Sequence, residues 1–181
     1  MVAHLRAFLA VAPPDEARLA LADQISELQI PGRLIPPANW HITLRFLGEI
    51  DEVTRERYEA ALDQSDLGRS FMLGLDHFGA FPRAGKASFI WAGVGRGEQR
   101  LHQLAEVADE RALDAGIPGE ERPFRPHLTV SRCRPPVSVV DLVDAGELEI
   151  AWRVAQLTLF RTVPGRGGVS YEPLESFSLT R

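Results

Sequence analysis

"NWHITLRFLG", residues 39–48, sets a histidine and a threonine two apart inside an apolar run. Side chains two apart in an extended strand share a face. His41 and Thr43 are therefore expected on one face, with Ile42 and Leu44 turned the other way into a core. "FRPHLTVSRC", residues 124–133, repeats the arrangement, with His127 and Thr129 outward and Leu128 and Val130 inward. Pro126 suits the start of that strand, where no ladder donor is needed. One such histidine is ordinarily a surface or satisfied core residue. Among five histidines and six threonines, chance gives two His-x-Thr pairs with a probability on the order of 1%. The matched aliphatic positions lower it further. Two strands each carrying a polar His/Thr face, opposed across one central groove, decide the architecture.

Working outward, alternation and β-branched or aromatic content predict strands near 5–11, 41–47, 70–78, 87–94, 127–133, 150–161 and 169–179. Helical periodicity predicts helices over 14–28, with Leu19, Leu21, Ile25 and Leu28 as the stripe, over 51–64, and over 98–115, with Leu101, Leu104, Ala105 and Ala108 lining up. A short helix is expected near 138–145. The order repeats. "AFLAV", a helix, "HITLRFL", a helix and "FMLGLDHF" make one set. "SFIWAGV", a helix, "HLTVSRC", a short helix and "IAWRVAQLTLF" make the other. The expected fold is α+β and bilobal: two pseudo-symmetric lobes of mostly antiparallel strands, helices outside, forming one domain over 1–181 by internal duplication.

Composition narrows the function. Hydrophobic content of 45% and charged content of 25% are those of an ordinary globular chain. No apolar run approaches the length of about 20 residues that a membrane span needs. "RAFLAVAPP" at 6–14 is too short in its apolar part for a signal peptide. The lone Cys133 excludes an internal disulfide and a four-cysteine zinc site, and suits a cytoplasmic location. A net charge of −5 argues against broad adhesion to nucleic acid. The cations are nonetheless almost all arginine, Lys86 being the one lysine, and Arg122, Arg125, Arg132 and Arg134 surround the second motif. Arginine makes forked contacts to phosphate. A small phosphorylated ligand or an RNA end fits this better than a long duplex.

Two facing imidazoles suggest a general acid and a general base, because one ring can be charged while the other is neutral near pH 7. Threonine hydroxyls can donate to non-bridging phosphate oxygens as charge develops. Arg45 shares the face of His41 and Thr43 if the strand is regular. Arg132 lies five past His127, on the wrong face of a regular strand, and reaches the groove only if the strand twists or bulges. No carboxylate or third histidine stands at ligand spacing, so no metal and no cofactor is expected. His4, His77 and His102 lack the motif. "GVGRGEQ" at 93–99 lacks the order of a dinucleotide fingerprint and reads as a turn. "VPGRGG" at 163–168 reads as a mobile hairpin loop whose Arg166 is placed to touch RNA, with solvent exposure alone the expected role. Phe46, Phe124 and Trp91 are candidates to stack on a base, with core packing the expected role of Phe46 and Trp91.

With both motifs in place, the chain resembles the two-histidine phosphoesterase superfamily. It is most similar to the RNA 2′,3′-cyclic phosphodiesterase branch, also called 2′-5′ RNA ligase or LigT-like. "HITLRFLGEI" matches the first His-x-Thr-x motif and its tail, and "HLTVSRC" matches the second with its following arginine. "GAFPR" at 79–83, read as a turn, and the "FIWAGV" strand are also similar. The resemblance implies metal-independent hydrolysis of a 2′,3′-cyclic phosphate on an RNA end to a 2′-phosphomonoester. It also implies His127 as base, His41 as acid, and Thr43, Thr129 and Arg132 holding the phosphate. Ligation through a 2′-5′ bond is the reverse reaction. A non-catalytic nucleotide or RNA-end binding module is the alternative, which intact histidines in both motifs disfavour. No membrane or partner chain is called for, so a monomer is expected.

Overall fold

In β7 (Glu147–Val154) strict alternation turns Leu148, Ile150, Trp152 and Val154 into the core and the residues between them to solvent. The same rule, broken only by bulges, builds the other strands of the computed structural model, which describes residues 4–181. They are β1 (His4–Val11), β2 (Arg33–Leu34), β3 (Ile42–Asp51), β4 (Phe71–Arg83), β5 (Lys86–Val94), β6 (His127–Val137), β8 (Gln156–Gly165) and β9 (Gly168–Ser178). Between them lie α1 (Asp15–Ser26), α2 (Glu52–Asp63), α3 (Glu98–Asp114) and α4 (Val140–Ala145).

The helices follow their apolar spacing. On α3, Leu101, Leu104, Ala105, Ala108 and Ala112 are buried. On α1 the buried stripe is Ala17, Leu21 and Ile25, while Leu19 is 68% exposed. Leu19 lies about 200° around the helix from Leu21, so the two cannot face one core. Asp51 starts α2 by accepting a hydrogen bond from the Thr54 amide at 2.8 Å. No helix among the described residues is long and apolar enough to cross a membrane.

Two antiparallel sheets form, ordered β3-β1-β8-β9 and β2-β6-β5-β4-β7. They are built alike: each motif strand (β3, β6) pairs with the first strand of its set (β1, β5). The third strand is exchanged. β4, from the first half of the chain, joins the second sheet, and β8, from the second half, joins the first. The expected single strand over 150–161 is therefore two strands in different sheets. Ala155 and Gln156 are both exposed, which breaks the alternation where the chain crosses over. "GAFPR" is strand as well: Gly79, Phe81 and Arg83 pair with Trp91, Phe89 and Lys86, and the chain reverses at 84–85. One apolar cluster joins both sheets, including Leu9 and Ile42 from the first and Leu75, Ile90 and Leu128 from the second. β3 packs beside β6, which places the two motifs edge to edge.

Candidate active site

Neither motif strand is regular. In β3, Arg45 pairs with Leu9 and Thr43 with Ala10, so Leu44 is an extra residue opposite β1. In β6, Ser131 pairs with Ile90 and Thr129 with Trp91, so Val130 is extra in the same way. A bulge three residues past each histidine reverses the alternation beyond it. His41, Thr43 and then Phe46 occupy the groove face of the first sheet; His127, Thr129 and then Arg132 occupy that of the second.

The bulge corrects two expectations. Arg45 does not share the face of His41 and Thr43: its side chain is 6% exposed, and its guanidinium donates to the carbonyls of Phe46 and Pro118. Phe46 does not pack in the core: it is 55% exposed, with its ring 6.0 Å from that of Phe8. Arg132, by contrast, meets the condition set for it, lying on the groove face with its guanidinium carbon 5.4 Å over the Phe89 ring.

Both imidazoles are oriented by the backbone two residues earlier. His41 Nδ1 lies 2.8 Å from the Asn39 carbonyl, and His127 Nδ1 lies 2.6 Å from that of Arg125. A carbonyl only accepts, so each Nδ1 carries the hydrogen and each Nε2 is free to take or give a proton. Aromatic rings fix the planes. Phe8 lies under His41 at 4.7 Å, and Tyr171 meets it edge-on at 5.0 Å. Phe81 meets His127 edge-on at 5.0 Å, and Trp91 sits 6.0 Å away. Trp91 lies across Gly79, where a Cβ would fall 2.1 Å from the indole.

Burial holds both histidines below the ordinary imidazole range. For His41 burial is the main cause, His127 and Arg18 lower it further, and the Asn39 carbonyl opposes. For His127 burial also leads, opposed by the Arg125 carbonyl. The Thr43 and Thr129 side chains are half-buried beside them, and neither hydroxyl has a hydrogen-bond partner among the described residues. The site thus offers two imidazoles with Nε2 atoms not engaged by the protein, two free hydroxyls and the Arg132 guanidinium.

Phe8, Tyr171, Phe81, Arg18 and Asn39 were not signalled by the motifs. The first three reach the histidines through strand pairing from distant parts of the chain. For Phe8 the signal was the register of β1 against β3, which follows only once the bulge is known. His77 and His102 lie outside the pair: His77 bonds Asp76 at 2.5 Å, and His102 packs edge-on to Phe124 at 5.1 Å. His4 is exposed on β1.

A family model described as LigT like Phosphoesterase matches residues 11–91. An RNA 2′,3′-cyclic phosphodiesterase of Aeropyrum pernix is 31% identical over 163 residues, covering 87% of this chain and 92% of that protein. One of Thermus thermophilus is 32% identical over 186 residues, covering 97% of this chain and 90% of the other. The crystal structure of E. coli LigT complexed with 3′-AMP superposes with a TM-score of 0.84 at 26% identity, over 99% of this chain and 100% of that one.

Proposed function

This chain belongs to the LigT-like phosphoesterase family, and from that membership we propose that it is an RNA 2′,3′-cyclic phosphodiesterase, with His41 and His127 as its proton-transfer pair. The observation that carries the chemistry is the matched tautomer lock: both Nδ1 atoms are tied to backbone carbonyls, leaving both Nε2 atoms free. Water attacks phosphorus as His127 Nε2 takes its proton. The bond from phosphorus to O3′ breaks, and His41 Nε2–H protonates the departing oxygen, leaving a 2′-phosphomonoester and a free 3′-hydroxyl. Thr43, Thr129 and Arg132 donate to the non-bridging oxygens, where charge accumulates. Phe46, five residues past His41 and exposed on the groove face, offers the terminal base an aromatic face to stack on. With the 5′-hydroxyl of an RNA in place of water as the nucleophile, the same step, breaking the bond to O3′, forms a 2′-5′ bond. We place the protein in a reducing cytoplasm as a monomer, since its one cysteine is buried and both motifs lie on one chain.

Turnover of a dinucleotide ending in a 2′,3′-cyclic phosphate, in EDTA and followed by phosphorus NMR, tests this reading. A single 2′-phosphate product is expected, because the opposed histidines admit one ribose orientation. A 3′-phosphate or an even mixture would overturn the assignment of acid and base. Binding without turnover would make the chain a binding module.

The depressed histidines set the pH dependence. kcat/KM requires one ring neutral and the other protonated in the free enzyme. Both pKa values lie below 6.5, so the acid limb and the alkaline limb both move down. The kcat/KM optimum is expected on the acid side of about 6.5. The kcat optimum should lie higher, because a phosphate anion between the rings favours their charged forms. A kcat/KM maximum above pH 8 would contradict the burial of the pair.

A further inference from the structure

Segments 28–48, 77–97, 122–140 and 150–171 contain no Asp or Glu, although the net charge is −5. They include most of the strands that face the groove, and the cations they carry are not spread evenly along it. Cross-strand rows of the second sheet give the positions. One row runs Glu147–His77–Gly93–His127. Beside it, Asp76, Glu147 and Glu149 line a shallow depression with Gln24 and Leu148. A second row, five residues further along β6 from His127 and toward the β4–β5 turn, runs Arg33–Arg132–Phe89–Phe81.

Cations collect beyond this second row. The β4–β5 turn sets Arg83 opposite Lys86, and Arg134 follows Arg132 on the exposed side of β6. The Arg33 guanidinium donates to the Gly167 carbonyl at 2.7 Å, which brings the β8–β9 turn, and Arg166 with it, to the same end. Among the described residues, none of these arginines nor Lys86 is in an ion pair. Exposed apolar side chains lie between them: Phe89, Leu34 and Val169. Guanidinium groups interleaved with exposed apolar and aromatic faces match single-stranded RNA, whose backbone is anionic and whose bases stack.

We propose that the RNA strand 5′ of the cyclic-phosphate nucleotide leaves the groove over this basic end, its backbone crossing Arg33, Lys86, Arg134 and Arg166. This rests on the phosphodiesterase reading and adds a direction to it. A strand running the other way would bring its phosphates against Asp76, Glu147 and Glu149. The enzyme therefore prefers a cyclic phosphate at the end of an oligonucleotide over a cyclic mononucleotide, and the preference is electrostatic.

The test compares 2′,3′-cyclic AMP with an RNA of about ten nucleotides ending in a 2′,3′-cyclic phosphate. The variants are Lys86→Glu with Arg134→Glu, and separately Arg166→Glu; Arg33 is left intact because it holds the Gly167 carbonyl. Expected is a rise of about tenfold or more in KM for the long RNA, with kcat and the cyclic AMP constants unchanged. The salt slope of KM should fall by about 0.7 for each phosphate contact removed. Glu147→Lys, at the opposite end, should leave the long-RNA KM unchanged. Equal effects on both substrates, no effect of either basic-end variant, or tighter long-RNA binding by Glu147→Lys would overturn the path. Fluorescence anisotropy of the labelled RNA reads the same path without turnover. If wild-type protein hydrolyses neither substrate, the phosphodiesterase reading fails. The path then stands if the charge reversals still weaken binding and falls if they do not.

Discussion

Replacing either His41 or His127 by alanine is expected to lower kcat by about 10²–10⁴-fold, the usual contribution of one general acid or base. The two losses should not add, because a proton-transfer pair acts as a unit, and the double variant should resemble the worse single one. His41→Ala also removes a ring packed 4.7 Å from Phe8 and 5.0 Å from Tyr171, so a loss could reflect collapse of that ring cluster. His41→Gln and His127→Gln control for this, since each keeps a polar side chain able to donate to the Asn39 or Arg125 carbonyl but transfers no proton at neutral pH. Folded glutamine variants, checked by circular dichroism, should be as inactive as the alanine ones. Near-normal kcat in either glutamine variant would remove that histidine from the chemistry.

The legible part of the site is the part that depends on a period of two. His41 with Thr43 and His127 with Thr129 could be placed on shared faces because only one residue intervenes. The alternation then fails at Leu44 and Val130, and nothing local marks either bulge. Both are aliphatic residues in aliphatic strands, and both side chains stay buried. Arg45 and Phe46 consequently trade the places expected of them. Comparing the motifs could have found this: for Arg132 to reach the groove its strand must bulge, and a matching bulge in the first strand sends Phe46 to the same face. The grouping of β1 with β3, and of β5 with β6, was legible because each pair belongs to one repeated set, and the sheets keep both pairs together. The exchange of β4 and β8 was not, since an alternating apolar segment packs equally well on either sheet. Only the doubled exposure at 155–156 marked the crossing.

Arg45→Ala is expected to be the most destabilising single change near the site, by about 2–4 kcal/mol. Its Nε lies 2.6 Å from Asp109 Oδ1 on α3, a charge contact whose N–H is not aligned for a hydrogen bond. Glu120, 3.9 Å from Nη1 and 41% exposed, adds little. Most of the loss comes from the part-buried carbonyls of Phe46 and Pro118, which lose charged donors. At this chain length each kcal/mol shifts Tm by about 2–4 °C, so a fall of about 4–16 °C is expected. Arg45→Lys should recover only part of it, because an ammonium cannot reproduce the fork that reaches both carbonyls. The arginine also couples the two motifs. It projects from the first motif strand and holds Pro118, at the start of the segment that runs to Arg125, whose carbonyl orients His127. Well below its Tm, Arg45→Ala should therefore lose about tenfold in kcat, through a less well-oriented His127 ring. Thermal unfolding by circular dichroism, with kcat measured some 20 °C below each variant's Tm, separates the two effects. An unchanged Tm would mean that the clamp contributes no stability. A lowered Tm with full kcat would mean that it does not position His127.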